Sequence, residues 1–270
     1  MATEQPHPPV QHCIVSFPTP QILLITLNRP KQLNCIDTQT SKQIQQLWKW
    51  FDEQPSLLVG IITGSGRAFC TGADLNEWNR LNESGQVSPM DAPGLAGLPR
   101  RRGKKPVIAA VNGICMGGGF EMIVNCDLVI AARSAVFALP EVKRGIAAVA
   151  GSLPRLARII GRQRAMELAL TGRTVTAGQL EAWGLINRVV ETEPVAAAVE
   201  LAKEICGNSP DGVIVSKEGI ELGWEKASVE DGSSVLIEGW YGRLMAGRNF
   251  KEGIRAFAEK RAPQWVPAKL

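Results

Sequence analysis

The sequence predicts an α/β fold built on a parallel sheet covered on both faces. Two observations carry that prediction. Short apolar runs alternate with stretches of helical periodicity through the first two thirds of the chain, the pattern left by strand–helix crossovers. From about Ala196 onward the strand-like runs vanish and helical stretches dominate. A third observation, the triplet Gly117-Gly118-Gly119 set directly before a helical run, marks where this fold exposes backbone to a ligand.

The elements follow in order. Residues 1–12 are polar and Pro-rich and are expected to be a disordered tail. Ile22–Leu27 reads as a strand closed by the turn signal Asn28-Arg29-Pro30. Asp37 to Glu53 is helical, with Ile36, Ile44, Leu47, Trp48 and Phe51 as its apolar stripe. Leu57–Thr63 is a buried strand running into Gly64-Ser65-Gly66, and the small residues of Ala68–Leu75 open a further short helix. Asn79–Gly97, punctuated by glycine and proline, reads as a long loop, which inside a compact domain is more often functional than idle. The basic run Arg100–Lys105 reads as a solvated turn, with contact to phosphates as the functional alternative. Val107–Val111 is the next strand, followed by the glycine triplet, its helix, and a strand over Asp127–Ala132. Val195–Asn208 and Lys251–Arg261 are helical.

Composition narrows the chemistry. The chain has 270 residues, 45% hydrophobic and 21% charged, ordinary values for a globular protein. A net charge of +4 is too mild to imply nucleic acid. No apolar run approaches membrane-spanning length. Only His7 and His12 are present, both in the Pro-rich tail, which disfavours Ser-His-Asp or Cys-His nucleophilic sites and a His-ligated metal. The six cysteines show no metal-knuckle spacing and sit among apolar neighbours, and no signal-peptide core is present, so a reducing intracellular setting is the expectation. Acid–base work falls to carboxylates or lysines.

The glycine triplet and two glutamates fit that remainder. Uncovered amides at a helix N-terminus form a ready oxyanion site. Glu121 lies in the first turn of that helix, and Glu141 follows the apolar segment Ala135–Leu139 and Pro140. An oxyanion hole beside two carboxylates suits acid–base chemistry at the α and β carbons of a thioester.

With these pieces placed, the chain resembles the crotonase (enoyl-CoA hydratase/isomerase) superfamily from Ile22 to about Trp265. The matching stretches are Leu27-Asn28-Arg29-Pro30-Lys31 with Leu33-Asn34, Arg67 through Leu75, Lys105 through Gly113, and Met116 through Glu121. Phe137 through Glu141, Gly145 through Leu156, Thr171-Gly172-Arg173, Ala182 through Asn187 and Glu252 through Pro263 complete them. The resemblance implies a spiral of ββα repeats over residues 13–195 and a helical region over 196–265 that trimerises, often as a dimer of trimers. It implies that the N–H groups of Ala73 and Gly118 form the oxyanion hole and that Glu121 and Glu141 are the catalytic acids. Lys31, Leu33, Thr71, Asp74 and Leu75 would line the CoA channel, and Phe257 and Lys260 would contact the nucleotide end, within the subunit or across its boundary. Neither metal nor redox cofactor is implied, since coenzyme A is part of the substrate.

Keeping both glutamates argues for addition or removal of water, because isomerases and other branches commonly lack one. An RNA-binding relative would want a lysine-rich early helix, whereas Ser41–Glu53 carries only Lys42 and Lys49. Asn76 stands where many hydratases have lysine, and Ala147-Ala148-Val149 replaces a segment that usually contains Pro-Gly. Taken whole, the chain resembles the mevalonyl-CoA hydratases of fungal siderophore synthesis more than the straight-chain hydratases of peroxisomal fatty-acid oxidation. Residues 266–270 end in Ala268-Lys269-Leu270, a close variant of the Ser-Lys-Leu peroxisomal address, which implies an import receptor as partner.

Overall fold

The computed structural model describes residues 6–85, 93–226 and 228–270. Its strands are β1 (Cys13–Thr19), β2 (Ile22–Leu27), β3 (Val59–Gly64), β4 (Ala68–Cys70), β5 (Val107–Val111), β6 (Ile114–Met116), β7 (Leu128–Ala132), β8 (Val136–Ala138), β9 (Val175–Thr176) and β10 (Arg188–Val190). Its helices are α1 (Thr38–Glu53), α2 (Leu75–Glu83), α3 (Gly118–Val124), α4 (Ser152–Ile159), α5 (Arg162–Thr171), α6 (Ala177–Ala182), α7 (Pro194–Cys206), α8 (Pro210–Glu225), α9 (Val229–Leu236), α10 (Gly242–Ala246) and α11 (Arg248–Glu259).

The strands form two sheets. The larger has the order β1-β2-β3-β5-β7-β10 and the smaller β4-β6-β8-β9. β1 pairs antiparallel with β2, and the rest of the large sheet is parallel. Consecutive strand pairs, β3 with β4, β5 with β6 and β7 with β8, place one strand in each sheet before a helical turn, which is the expected ββα spiral. Alternation along the large sheet sends Leu23, Ile25, Ile62, Ala109 and Val129 toward the main core. Ile22, Ile61, Ile108, Ala110 and Ile130 face the other way, onto Ala198 and Ala202 of α7. Burial of both faces explains why these strands read as unbroken apolar runs.

α1 begins where the sequence places it, because the Asp37 carboxylate accepts from the Thr40 N–H at 2.7 Å. The stripe Ile44, Leu47, Trp48 and Phe51 is buried as expected. The end of α1 corrects the reading of the basic run. Arg101 donates to both oxygens of Asp52 at 2.7 and 2.8 Å and lies over the Trp48 and Phe51 rings. Buried Lys105 donates to the carbonyls of Phe51 and Gln54, satisfying acceptors that the helix end leaves open. These two cations suture α1 to β5 and are not solvated. Removing either member of the Arg101–Asp52 pair leaves a charge uncompensated, at a cost of about 3–5 kcal/mol.

Three further expectations change. Ala68–Cys70 is a strand paired with β6, and the helix starts only at Leu75. Of the expected loop Asn79–Gly97, the first residues belong to α2, Leu95–Gly97 forms a 3-10 turn, and residues 86–92 lie outside those described. Residues 6–12, expected as tail, are anchored: the His7 ring meets Trp50, Gln11 N–H donates to Gln43, and the His12 carbonyl accepts from Asn28. Residues 1–5 lie outside those described.

Helices dominate after β10, as expected. Residues 265–270 are folded against the body. Trp265 Nε1 donates to the Gly207 carbonyl, Asn249 brackets Val266, Lys269 N–H donates to Asp211, and Lys104 Nζ reaches the Leu270 carbonyl. Among the described residues no helix is long and apolar enough to cross a membrane.

Candidate active site

The site is built where β4 and β6, neighbouring parallel strands of the small sheet, run out. Past β4 the chain passes Gly72, whose φ of +96° is a left-handed conformation that a side chain resists. Past β6 it passes Gly117, with φ +57°, and enters α3. The two backbones touch. A methyl at Gly72 would lie 2.9 Å from the Gly118 nitrogen, and one at Gly119 would lie 2.3 Å from the Cys70 carbonyl oxygen.

This packing aims two amides at one place. Ile36 bridges the strand beyond β4, with its N–H on the Gly72 carbonyl and its carbonyl on the Asp74 N–H, so the Ala73 N–H points away from the bridge. Among the described residues neither the Ala73 nor the Gly118 N–H has an acceptor, and both residues are half-buried while Gly72, Gly117 and Gly119 are buried. Leu95, from the 3-10 turn after the undescribed segment, lies over Gly118. The structure therefore brings Ala73 and Gly118 together as two free donors.

Both glutamates flank them. Glu121 is 7% exposed and Glu141 8% exposed. Oε1 of Glu121 accepts from the Ala150 N–H at 3.0 Å and the Ser152 hydroxyl at 2.8 Å. Burial pushes its carboxyl above the ordinary value, and those donors together with the Ser152 amide oppose the rise. Glu141 sits in the 3-10 turn Pro140–Arg144 with its side chain against Gly117. Its Oε2 is buried without a hydrogen-bond partner among the described residues. Burial, with a smaller push from the charge of Glu121, raises its pKa from 4.5 to about 7, against the pull of its own backbone N–H and of Arg144. Donors at Ala150 and Ser152 hold Glu121, whereas Glu141 has its own amide, so the two carboxyls stand in unequal surroundings.

The expected channel residues lie together on one side. The Leu33 carbonyl accepts from both the N–H and hydroxyl of Thr71 at 3.2 Å. Buried Asn34, with φ +56°, accepts from Arg29 N–H and donates to the Ser65 and Ala68 carbonyls. Arg29 spans 3.1 Å to Asp74, which also caps α2 through the amides of Asn76 and Glu77. Burial works against ionisation of Asp74, but Arg29 and those two amides outweigh it and hold its pKa below the ordinary value. Lys31 and Leu75 are exposed at the rim. Phe257 and Lys260 are not brought here: Phe257 is 86% exposed and Lys260 ends α11, which packs on α8 and α10. Sequence reasoning missed Ser152, the Ala150 amide and Leu95. A serine after a glycine reads as a helix start, and nothing in the sequence directs its hydroxyl to a residue 31 positions away. Among the described residues no cluster of three His, Cys, Asp or Glu is arranged for a metal.

Two free amides beside two buried carboxylates are the parts that an acyl-CoA hydratase needs, a hydro-lyase that polarises a thioester and moves protons at its α and β positions. The chain belongs to the enoyl-CoA hydratase/isomerase family, whose pattern matches residues 19–267. It is 64% identical over 271 residues to the mevalonyl-coenzyme A hydratase sidH of Aspergillus fumigatus, covering 100% of both chains. It is 48% identical to the mevalonyl-coenzyme A hydratase SIDH of Beauveria bassiana, covering 99% of each. Among solved structures, the enoyl-CoA hydratase of Mycobacterium tuberculosis H37Rv superposes with a TM-score of 0.87 at 34% identity, covering 95% of this chain and 99% of that one.

The Glu141 shift has a stability consequence. Its folded pKa of about 7 exceeds the ordinary 4.5, so the folded state holds the proton more tightly. This group's contribution is fully present below the unfolded value and is lost as pH rises through about 7. Glu141→Gln is therefore expected to melt higher than the parent at pH 8, by up to about 3 kcal/mol, with the gain shrinking toward pH 5. Paired thermal melts at the two pH values check this.

Proposed function

We propose that the chain dehydrates mevalonyl-CoA to anhydromevalonyl-CoA, with Ala73 and Gly118 as oxyanion-hole donors and Glu121 and Glu141 as the acid–base pair. The geometry supporting the roles is the convergence of two free amides with two buried carboxylates that differ in hydrogen bonding. The thioester oxygen accepts from both N–H groups, and each such donor stabilises developing enolate charge by about 3–4 kcal/mol. Glu141 takes the α proton. Glu121 delivers a proton to the β-hydroxyl, which leaves as water. Hydration reverses both transfers. The chemistry needs no cofactor beyond the coenzyme A of the substrate, and Lys31, Leu33, Thr71, Asp74 and Leu75 line its channel in this reading.

The substrate reading is supported by 64% identity along the whole chain to a mevalonyl-coenzyme A hydratase. It carries with it a place in siderophore synthesis. The branched β-carbon needs space near the second acid, where residues 147–150 carry nothing bulkier than the exposed Val149. Ala148 and Ala150 are themselves buried, so only part of that small-residue stretch borders open space.

We also propose a homotrimer or a dimer of trimers. Ile220, Val229, Ile237, Ile254 and Phe257 leave large apolar surface uncovered on the C-terminal helices. Trp265 is spent on the chain's own body, where its Nε1 donates to the Gly207 carbonyl. Phe257 and Lys260 then reach a neighbouring subunit's nucleotide channel. Light scattering showing a monomer at micromolar concentration would remove that role.

Peroxisomal residence rests on Ala268-Lys269-Leu270 as the address read by an import receptor. That tail is docked here through Asp211 and Lys104, so recognition requires its release. Deleting the three residues is expected to leave a tagged protein in the cytosol; retention in peroxisomes refutes the address.

Glu121→Gln and Glu141→Gln are each expected to fold and to lose about 10²–10⁴-fold in turnover. Near-parental turnover in either variant removes that glutamate from the mechanism. The ratio of kcat/KM for mevalonyl-CoA to that for 3-hydroxybutyryl-CoA is expected to favour the branched substrate by about 10–200-fold. A preference for the linear thioester retires the mevalonyl reading and leaves the hydratase chemistry standing.

A further inference from the structure

Ser152 opens α4 and is fully buried. A serine at a helix start ordinarily spends its hydroxyl on the helix's own free N–H groups. Here Gly151 occupies the cap position without a side-chain cap, and the Ser152 hydroxyl reaches Glu121 Oε1 at 2.8 Å. The other acceptor in reach, the Ala148 carbonyl, is at 3.4 Å, so the single hydroxyl proton goes to the carboxylate. The Ala150 amide converges on the same oxygen. The Ser152 amide is a further donor to the same carboxylate.

We infer that Ser152 is a positioning residue for the lyase reaction: its hydroxyl fixes the Glu121 carboxylate so that Oε2 meets the β-oxygen of the substrate. The inference deepens the two-glutamate reading and rests on it.

The surroundings leave Ser152 that influence. The 3-10 turn carrying Leu95 brings no charge to α3. β4 and β6 bring the thiols Cys70 and Cys115, both raised by burial, Cys70 to about 12, and so neutral. On α4, Arg155 is turned to the Gly151 carbonyl and Glu225, and Arg158 to the Trp224 carbonyl. Glu141, itself near Arg144, is the titratable neighbour that remains. Removing the hydroxyl therefore raises the Glu121 pKa. In the hydration direction Glu121 works as the carboxylate, so the acid limb of activity moves to higher pH.

The test compares Ser152→Ala, Ser152→Thr and Glu121→Gln, singly and as the Ser152→Ala/Glu121→Gln double variant, by enoyl-CoA hydration across pH. Ser152→Ala is expected to keep KM within a few-fold, lose roughly 10- to 100-fold in kcat, and shift its acid limb upward, with Ser152→Thr restoring both. In the Glu121→Gln background Ser152→Ala is expected to add no further loss, because it acts through Glu121. If Glu121→Gln is inactive while Ser152→Ala shows parental kcat and an unmoved acid limb, the Ser152 inference falls and the two-glutamate reading stands. If Glu121→Gln is active, both fall. Should the alanine variant fail to assemble, Ser152→Cys, of similar size but a weak donor, gives the same comparison.

Discussion

Everything at this site depends on the contact between two stretches of bare backbone, Thr71–Ala73 and Gly117–Gly119. The Gly72 carbon sits against the Gly118 nitrogen, and Gly119 fits under the Cys70 carbonyl with no space for a methyl. Only residues without a β-carbon let the chains approach this closely. From that approach follow the alignment of two free amides, the start of α3 beside them, and the delivery of Glu121 one turn into that helix. The rest of the molecule holds this contact in place. Asn34 ties the preceding loop down, Arg29 braces Asp74, and α1 is sutured to β5 by Arg101 and Lys105.

The two acids are equally buried and yet unequal. Glu121 has two donors on one oxygen, whereas Glu141 has a buried oxygen with none. Desolvation raises both pKa values and is opposed at both, by donors at Ala150 and Ser152 for Glu121 and by its own amide and Arg144 for Glu141, where the rise is the larger. Neighbouring carboxyl groups share a proton unevenly when their surroundings differ, and here the difference assigns charge to one and proton to the other. A free protein in that arrangement matches the hydration direction. Dehydration begins from the opposite assignment, so substrate binding must supply the difference.

Much of this was legible in the sequence. With histidine confined to two residues near the N-terminus, carboxylates were the remaining acid–base groups, and the glycine triplet marked where they act. α1 was legible because a capping aspartate and a full apolar stripe agree. β4, β6 and β8 were not, since three residues are too few to show a period. The basic run misled because a cation's burial depends on partners far along the chain: Asp52 for Arg101 and the last carbonyls of α1 for Lys105. The docked tail and the hydroxyl of Ser152 were hidden for the same reason, each depending on partners far along the chain.

The small sheet also acts as a ruler. Ala73 and Gly118 lie just beyond the ends of adjacent parallel strands, whose separation of about 4.8 Å is fixed by hydrogen bonding between main chains. Given the glycines that let the two backbones meet, the gap between the amides follows sheet geometry and not the side chains around the acids. Residues 142–150, which surround the acids, carry no part of that measurement. Such a division separates activating the thioester from reading the acyl group, so the second can change by substitution while the first keeps its calibration.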